Sequence, residues 1–240
     1  MDSRRMIWVA VSVTVVPAVV LSLCGYVGAP VSSGGTVSGT VKLRGPAPAV
    51  APILVTTARA VCGATVPNEQ VVLGPGGALA NVIVWLDGIA SGAPARPRPV
   101  PLENNRCRFV PHVQTATIGS RLTVTSRDAT LHNIHGRFGD RTAFNLALPM
   151  KGMHVQRRLT EAGRLRIQCD AGHTWMSAYL QVFDHPYHTV TGASGQYALR
   201  DVPPGTYTLK AWHERFGERS ARVTVTADGT LASDVTFESR

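Results

Sequence analysis

Three side chains that bind soft metals stand within eight residues of one another: Cys169, His173 and Met176. A thiolate, two imidazoles and a weakly bound thioether form the ligand set that redox-active copper selects. The missing imidazole has a candidate upstream, in the pair His132 and Asn133. The residue types and their spacing therefore predict a copper centre.

The segments around this cluster alternate apolar and polar residues in the way that half-buried strands do. Leu165, Ile167 and Cys169 share one face of the first segment. Met176 begins a second segment whose apolar residues again alternate. Since alternate residues of a strand point to the same side, both sulfur atoms are expected to point inward from neighbouring strands. His173 is expected on the turn between them.

The stretch from Leu131 to Ile134, which follows a Gly-Ser turn, resembles the cupredoxins when it is taken together with the Cys169 loop. These proteins are blue-copper β-sandwiches, and the resemblance covers roughly residues 105–184 and, more loosely, 35–104. It implies one copper ion, one-electron transfer and an exit for the electron through His173, near the surface. The implied equatorial ligands are His132, Cys169 and His173, and the implied axial ligand is Met176. Asn133, next to a ligand, is expected to connect two loops by hydrogen bonding.

The C-x3-H-x2-M spacing is one residue longer between cysteine and histidine than in the shortest cupredoxin loops. It is similar to part of the binuclear copper motif of cytochrome oxidase subunit II. That motif has a further cysteine four residues earlier, where this chain has Leu165. A single copper ion is therefore predicted.

Several alternatives remain open at this level. His112 is the alternative to His132 as the upstream ligand, and His135 is a further metal candidate. Met150, Met153 and His154 are candidates for a weak Cu(I) contact. Zinc is the alternative metal, because one thiolate and two imidazoles also suit it.

The number of cysteines indicates whether the protein resides in an oxidising compartment. Besides Cys24, which lies in an apolar run, the chain has Cys62, Cys107 and Cys169. Metal ligation by Cys169 leaves Cys62 and Cys107 to form a disulfide in an oxidising compartment. The alternative is that another two of the three pair and the third is buried as a thiol.

No segment beyond residue 30 has sustained helical periodicity, so the fold is predicted to be all-β. Residues 191–197 and 202–207 resemble the carboxypeptidase regulatory-like, or transthyretin-like, β-sandwich. We therefore expect a cupredoxin-like Greek-key sandwich over residues 31–184 and a small transthyretin-like module over 185–240. In the alternative arrangement, residues 31–104 share a sheet with that module and the copper domain is inserted in it. Residues 136–160 are predicted to be a long loop excursion.

The first 30 residues combine two arginines with an apolar run from Ile7 to Ala29. This pattern predicts a hydrophobic helix, either as a cleaved signal peptide or as an uncleaved membrane anchor through residues 7–29. Either one places the remainder outside the cytoplasm, in the periplasm or on the outer face of the cytoplasmic membrane. The net charge of +9 favours an acidic redox partner, and no nucleic-acid-binding motif is present.

The sequence has no paired carboxylates and no Ser-His-Asp order that would favour a hydrolase. An electron carrier is therefore expected rather than an enzyme. Copper storage, delivery or tolerance is the second hypothesis. A structural cell-envelope module that binds a polymer or a partner is the third.

Overall fold

The computed structural model describes residues 25–29 and 33–239, and nearly all of its regular structure is β, which confirms the predicted class. The described part has one short helix, α1 (Arg59–Cys62), and one 3-10 turn, Pro75–Gly77. The strands, in chain order, are β1 (Val27–Gly28), β2 (Gly35–Arg44), β3 (Ile53–Leu54), β4 (Thr65–Val66), β5 (Ile83–Asp87), β6 (Ser91–Gly92), β7 (Pro99–Asn104), β8 (Phe109–Val110), β9 (Val113–Thr117), β10 (Arg121–Ser126), β11 (His132–Phe138), β12 (Arg141–Leu148), β13 (His154–Arg158), β14 (Gly163–Gln168), β15 (Ser177–Phe183), β16 (His188–Val190), β17 (Gln196–Val202), β18 (Gly205–His213), β19 (Gly217–Val225), β20 (Thr230–Ala232) and β21 (Val235–Glu238).

Strands β7 to β15 form one sandwich, which we call the inserted sandwich. One sheet has the order β13-β10-β7-β8 and the other has the order β12-β11-β14-β15-β9. Alternating apolar side chains such as Leu122, Val124, Leu165 and Ile167 fill the space between the sheets. This is the expected result of period-2 patterning, because each strand buries one face and exposes the other.

The remaining long strands form a second sandwich, which we call the outer sandwich. Its sheets have the orders β16-β5-β18-β19 and β17-β2-β20, with β21 also paired to β2. Strands β2 and β5 come before the inserted sandwich in the chain, whereas β16 to β21 come after it. Strands β2 and β5 thus share sheets with strands of the C-terminal module, whereas β7 (Pro99–Asn104) belongs to the inserted sandwich.

The segment from residue 53 to residue 66 contains β3, α1 and β4, and it packs against the inserted sandwich. Its residues Val55, Cys62 and Val66 belong to the core cluster of that sandwich. A disulfide joins Cys62 to Cys107, in the turn between β7 and β8. We call residues 53–66 the cap.

An apolar cluster at the junction fixes the two sandwiches to each other. Ile83 and Trp85 come from the outer sandwich, and Val113 and Phe183 come from the inserted one. The ring of His188 stacks on Phe183 with a centroid separation of 4.6 Å. Burial of apolar surface of this kind stabilises a fixed arrangement of the two units.

Residues 1–24, which contain most of the predicted signal peptide or anchor, lie outside the described residues. At the end of the apolar run, the prediction of a helix is wrong, because Val27–Gly28 is a strand that pairs in parallel with Ser91–Gly92. Tyr26 also donates a hydrogen bond to the carbonyl of Ala93. In the part of the chain that the structure describes, no helix has the length and apolar character needed to span a bilayer.

The predicted loop excursion over residues 136–160 is also wrong. Strand β11 continues to Phe138, and β12 and β13 occupy most of the remaining residues. Both of these strands lie at sheet edges, β12 in one sheet and β13 in the other. Edge strands keep polar residues on much of their surface, so their alternation is weak in the sequence.

Candidate metal centre

Three of the predicted ligands converge on one point at the end of the inserted sandwich. Nδ1 of His132 lies 3.8 Å from Sγ of Cys169, and Nδ1 of His173 lies 3.6 Å from the same sulfur. His132 is the first residue of β11, Cys169 directly follows β14, and His173 lies on the turn before β15. Their donor atoms all lie within 4.8 Å of one another. The sheet therefore brings together residues that are 37 positions apart in the chain.

These distances fit a shared first-row metal ion. Metal bonds of about 2.3 Å to sulfur and about 2.0 Å to nitrogen, at roughly tetrahedral or trigonal angles, separate the two ligand atoms by about 3.5–3.8 Å. The observed separations of 3.8 Å and 3.6 Å match this range. The two sulfur–nitrogen separations are thus those that a mononuclear centre requires.

Met176 lies on the inward face at the start of β15, as its alternation with Ala178 predicts. It is buried in the same core cluster as Cys169. Its backbone N–H donates to the carbonyl of His173 at 2.9 Å, which closes the turn between them. The thioether therefore belongs to the same buried region as the three converging donors.

Asp128 is a part of the site that the sequence reasoning missed. Its Oδ2 accepts a hydrogen bond from Nε2 of His132 at 3.0 Å. The same carboxylate accepts the backbone N–H groups of Arg106 and Cys107, both at 2.8 Å. A carboxylate bound to the outer nitrogen of a metal-binding histidine fixes its tautomer and its ring orientation. The available signal was an acidic residue four positions before the upstream histidine.

The electrostatics of the donors follow from these contacts. Burial lowers the pKa of His132, but the hydrogen bonds to Asp128 and Cys169 outweigh burial and raise the pKa to about 9. Burial raises the pKa of the Cys169 thiol, yet His132 and the N–H groups of Asn133 and Ala171 bring it below its usual range. Both shifts act toward a thiolate beside an imidazolium. The thiolate is the form of cysteine that binds metal.

The pKa of His173 is below its ordinary value, because burial and the positive charge on His132 both disfavour its protonation. The two rings are close, with centroids 4.6 Å apart. His173 is therefore held as neutral imidazole, the form in which it binds metal.

Asn133 connects the segment that carries His132 with the segment that carries Cys169. Its Oδ1 accepts the backbone N–H of Asp170, next to Cys169, and its Nδ2 donates to Oδ1 of Asn145 at 2.7 Å. His135 lies on the other face of β11, where its ring contacts Asp170 and Thr142. His135 is therefore not among the converging donors.

The prediction that His173 lies near the surface is wrong. Its side chain is only 2% exposed, and the cap covers this end of the sandwich. Thr57 in the cap donates a hydrogen bond to the carbonyl of Gly172 at 3.0 Å. The ring of Trp175 packs edge-on against His173 at 5.3 Å, and its indole N–H donates to the carbonyl of Cys107 at 3.0 Å. A segment more than 100 residues away in the chain thus closes the site.

The other candidate ligands lie elsewhere. His112 is buried beside the junction, where Nδ1 faces the carbonyl of Ser177 at 3.0 Å and Nε2 pairs with Glu214 of the outer sandwich. Met150 is 65% exposed in the turn after β12. His154 begins β13 and is also exposed.

The comparisons with known proteins cover parts of the chain. A family model described as the carboxypeptidase regulatory-like domain matches residues 170–238. These residues include β16 to β21 of the outer sandwich and also β15 of the inserted one. No curated protein is similar enough to this chain to count as a match.

Solved structures similar to part of the chain include three copper proteins. A copper-containing nitrite reductase from Thermus scotoductus SA-01 is 18% identical with a TM-score of 0.32, and the match covers 38% of this chain and 23% of that chain. Amicyanin from Paracoccus versutus is 16% identical with a TM-score of 0.32, covering 35% and 81%. A purple cupredoxin from Nitrosopumilus maritimus is 21% identical with a TM-score of 0.30, covering 37% and 100%. This chain thus spans less than a quarter of the length of the nitrite reductase.

Proposed function

We propose that this chain is an exported protein that holds one copper ion in a mononuclear, type 1-like centre and carries single electrons. The observation that supports this most directly is the convergence of His132, Cys169 and His173 on one buried point. One thiolate with two imidazoles and a nearby thioether is the donor set of electron-transfer copper sites.

When bound, copper supplies a one-electron couple between Cu(I) and Cu(II). The protein holds the ligands in place from three strand ends, and Asp128 orients His132 from outside the site. The cap and Trp175 exclude water from the side of His173. A closed donor set of this kind suits a carrier better than an enzyme, because a catalytic metal keeps an open position for its substrate.

Export is supported by two features of the chain. The apolar run after Arg4 and Arg5 has the composition of a signal peptide or an anchor. The buried Cys62–Cys107 disulfide is of the kind that persists in oxidising compartments. We place the folded part in the periplasm or at the outer face of the cytoplasmic membrane.

The proposed partner is an acidic redox protein that docks at the metal end of the inserted sandwich. Leu131 adjoins His132, and Met150 follows the strand end that pairs with it; both side chains are exposed. Leu54 and Val61, also exposed, lie on the cap. Exposed apolar residues on a basic protein are of the sort that transient partners use for docking.

The first test is the addition of Cu(II) to the purified full-length chain. We expect one copper per chain and an intense visible band from thiolate-to-copper charge transfer. The variants Cys169→Ser and His132→Gln should lose the band, whereas the matched variant His135→Gln should keep it. Absence of copper uptake, or a band that survives in Cys169→Ser, would rule out the proposal.

A second candidate function, copper storage or delivery, is favoured by the burial of His173 under the cap. A carrier exchanges electrons through its surface, whereas a store benefits from a ligand that water does not reach. Voltammetry separates the two functions. A reversible one-electron wave supports electron transfer, while a colourless complex with Cu(I) alone and no such wave supports storage.

A further inference from the structure

The disulfide sulfurs lie directly beside the proposed copper ligands. The sulfur atoms of Cys62 and Cys107 and a ring nitrogen of His173 all lie within 4.8 Å of one another. Donor atoms of Cys107, Asp128 and His132 form a second group with the same spacing. Both groups share members with the predicted site, so one continuous set of buried donors extends beyond it.

The ability of the Cys62–Cys107 pair to bind metal depends on its redox state. Cys62 and Cys107 are buried in the same core cluster as Cys169, so three cysteine sulfurs meet in one region that excludes water. As a disulfide, the pair is a poor ligand, because it is the thiolate that binds metal. After reduction the same atoms become two thiolates, soft donors that select Cu(I).

We propose that Cys62 and Cys107, in their dithiol form, hold a second soft metal ion, Cu(I), between their two thiolates. The chain then has a copper capacity set by its thiol state: one ion with the disulfide intact and two ions after reduction. This inference goes beyond the proposed function, since the first site needs neither sulfur of the pair.

The reaction balances with a dithiol reductant. The reductant gives two electrons and two protons to the Cys62–Cys107 bond and becomes a disulfide itself. Binding of Cu(I) to the two new thiols then displaces their protons and transfers no electron.

An ion between the two sulfurs requires the cap to shift away from the turn between β7 and β8. Cys62 lies on α1 in the cap, and its Cα atom is 5.2 Å from that of Cys107. Besides the disulfide, the cap meets the metal loop through the Thr57–Gly172 hydrogen bond. The cap's own sheet is only the two-residue pairing of β3 with β4. The cap is also held by its buried residues Val55, Cys62 and Val66, and it is the element that shifts when the sulfurs separate.

The experiment is a Cu(I) titration of the full-length chain without oxygen, with copper counted per chain after gel filtration. Wild type with its disulfide intact should hold one ion. Wild type treated with dithiothreitol, then freed of it, should hold two. The double variant Cys62→Ser/Cys107→Ser should hold one ion under both treatments.

A further variant separates this inference from the proposed function. Cys169→Ser should lose the first ion and, after reduction, still gain the second. If only the first site is wrong, wild type with its disulfide intact will bind no copper. The second site is overturned if reduced wild type holds only one ion, or if the reduced double variant holds two.

Folding is checked in the same samples by near-ultraviolet circular dichroism. If the double variant does not fold, Cys62→Ser alone replaces it, since it also removes one of the two thiolates. A reduced, folded wild type that takes up no second ion contradicts the inference whatever the variants do.

Discussion

The carboxylate of Asp128 accepts a hydrogen bond from Nε2 of His132 at 3.0 Å, while Nδ1 of the same ring faces the Cys169 sulfur at 3.8 Å. One imidazole thus joins a buried acid to the proposed copper position. The acid is itself held by the N–H groups of Arg106 and Cys107, two residues with positive φ angles of 51° and 54°. The orientation of His132 therefore depends on the loop that also carries the disulfide.

Asp128→Asn should weaken copper binding, because the neutral amide neither orients His132 nor increases the basicity of its ring as a carboxylate does. We expect the dissociation constant to rise by about 10- to 100-fold, the usual effect of losing such a partner. Competition against a copper chelator at fixed pH measures it. Asp140→Asn, at an exposed turn between β11 and β12, is the matched control. An affinity within twofold of wild type in Asp128→Asn would contradict this role.

Asn133→Ala should loosen the connection between β11 and the loop after Cys169. The lost hydrogen bonds to Asp170 and Asn145 should lower the free energy of unfolding by about 1 kcal/mol. Copper should also dissociate faster, which a stopped-flow chelator assay records. Asn145→Ala removes the second bond and a long contact of 3.5 Å to the Asp170 carboxylate, but it keeps the bond from the Asp170 N–H to Asn133. It should therefore leave the dissociation rate nearly unchanged. Equal rates for the two variants would show that the Asp170 contact does not hold the loop.

His188→Phe should make the protein more resistant to acid. Burial and the nearby His185 lower the pKa of His188 to about 3, and among the described residues neither ring nitrogen has a hydrogen-bond partner. An unfolded histidine takes up its proton near pH 6.5, whereas the folded one does so only near pH 3. Between these values the unfolded state binds more protons than the folded state. The free energy of unfolding therefore falls by about 1.4 kcal/mol for each unit by which the pH decreases.

Denaturant unfolding at pH 7 and pH 5 measures this slope. In His188→Phe this slope should be smaller by the contribution of one proton. The phenyl ring should keep the stack on Phe183. His154→Gln, at an exposed position, should leave the slope as it is in wild type. An unchanged slope in His188→Phe would mean that this histidine does not remain neutral in the fold.

Glu214→Gln should destabilise the junction of the two sandwiches. His112 and Glu214 form a buried pair, with side chains only 7% and 8% exposed. Burial lowers the pKa of His112, but the hydrogen bond to Glu214 outweighs it and raises the pKa above its ordinary value. Because the folded pKa is the higher one, the stabilisation is complete below about pH 6.5 and disappears as the pH rises through the folded value.

We expect Glu214→Gln to cost about 3 kcal/mol or more at pH 6, as breaking a buried pair does, and less at pH 9. Glu161→Gln breaks an exposed pair with Arg141 and should cost under about 1 kcal/mol at either pH. Chemical denaturation at the two pH values measures both variants. A loss that does not depend on pH in Glu214→Gln would argue against a charged His112.

The locally encoded parts of the centre were predictable. Alternation placed Leu165, Ile167 and Cys169 on one buried face, because the side-chain period of a strand is independent of its partners. Counting the cysteines also favoured the pair Cys62 and Cys107, which the structure joins in a disulfide. Asp128 was missed, because a carboxylate in a loop has no periodicity that reveals its target.

The edge strands of the inserted sandwich were also not predictable from the sequence pattern. Residues 141–148 and 154–158 are strands, yet most of their side chains are exposed. They obtain their structure from hydrogen bonds to β11 and β10 rather than from an apolar face. A pattern of apolar residues cannot reveal strands that are fixed mainly by their neighbours.

Residues that are close together in the chain encode the donor types of the candidate site and the strand parity that buries them. The tertiary structure encloses those donors. It pairs β2 and β5 with strands more than 100 residues later and brings the cap over His173. Both outcomes depend on burying apolar surface between segments distant in the chain. Which distant faces meet depends on the packing of the whole chain, and no local pattern specifies it.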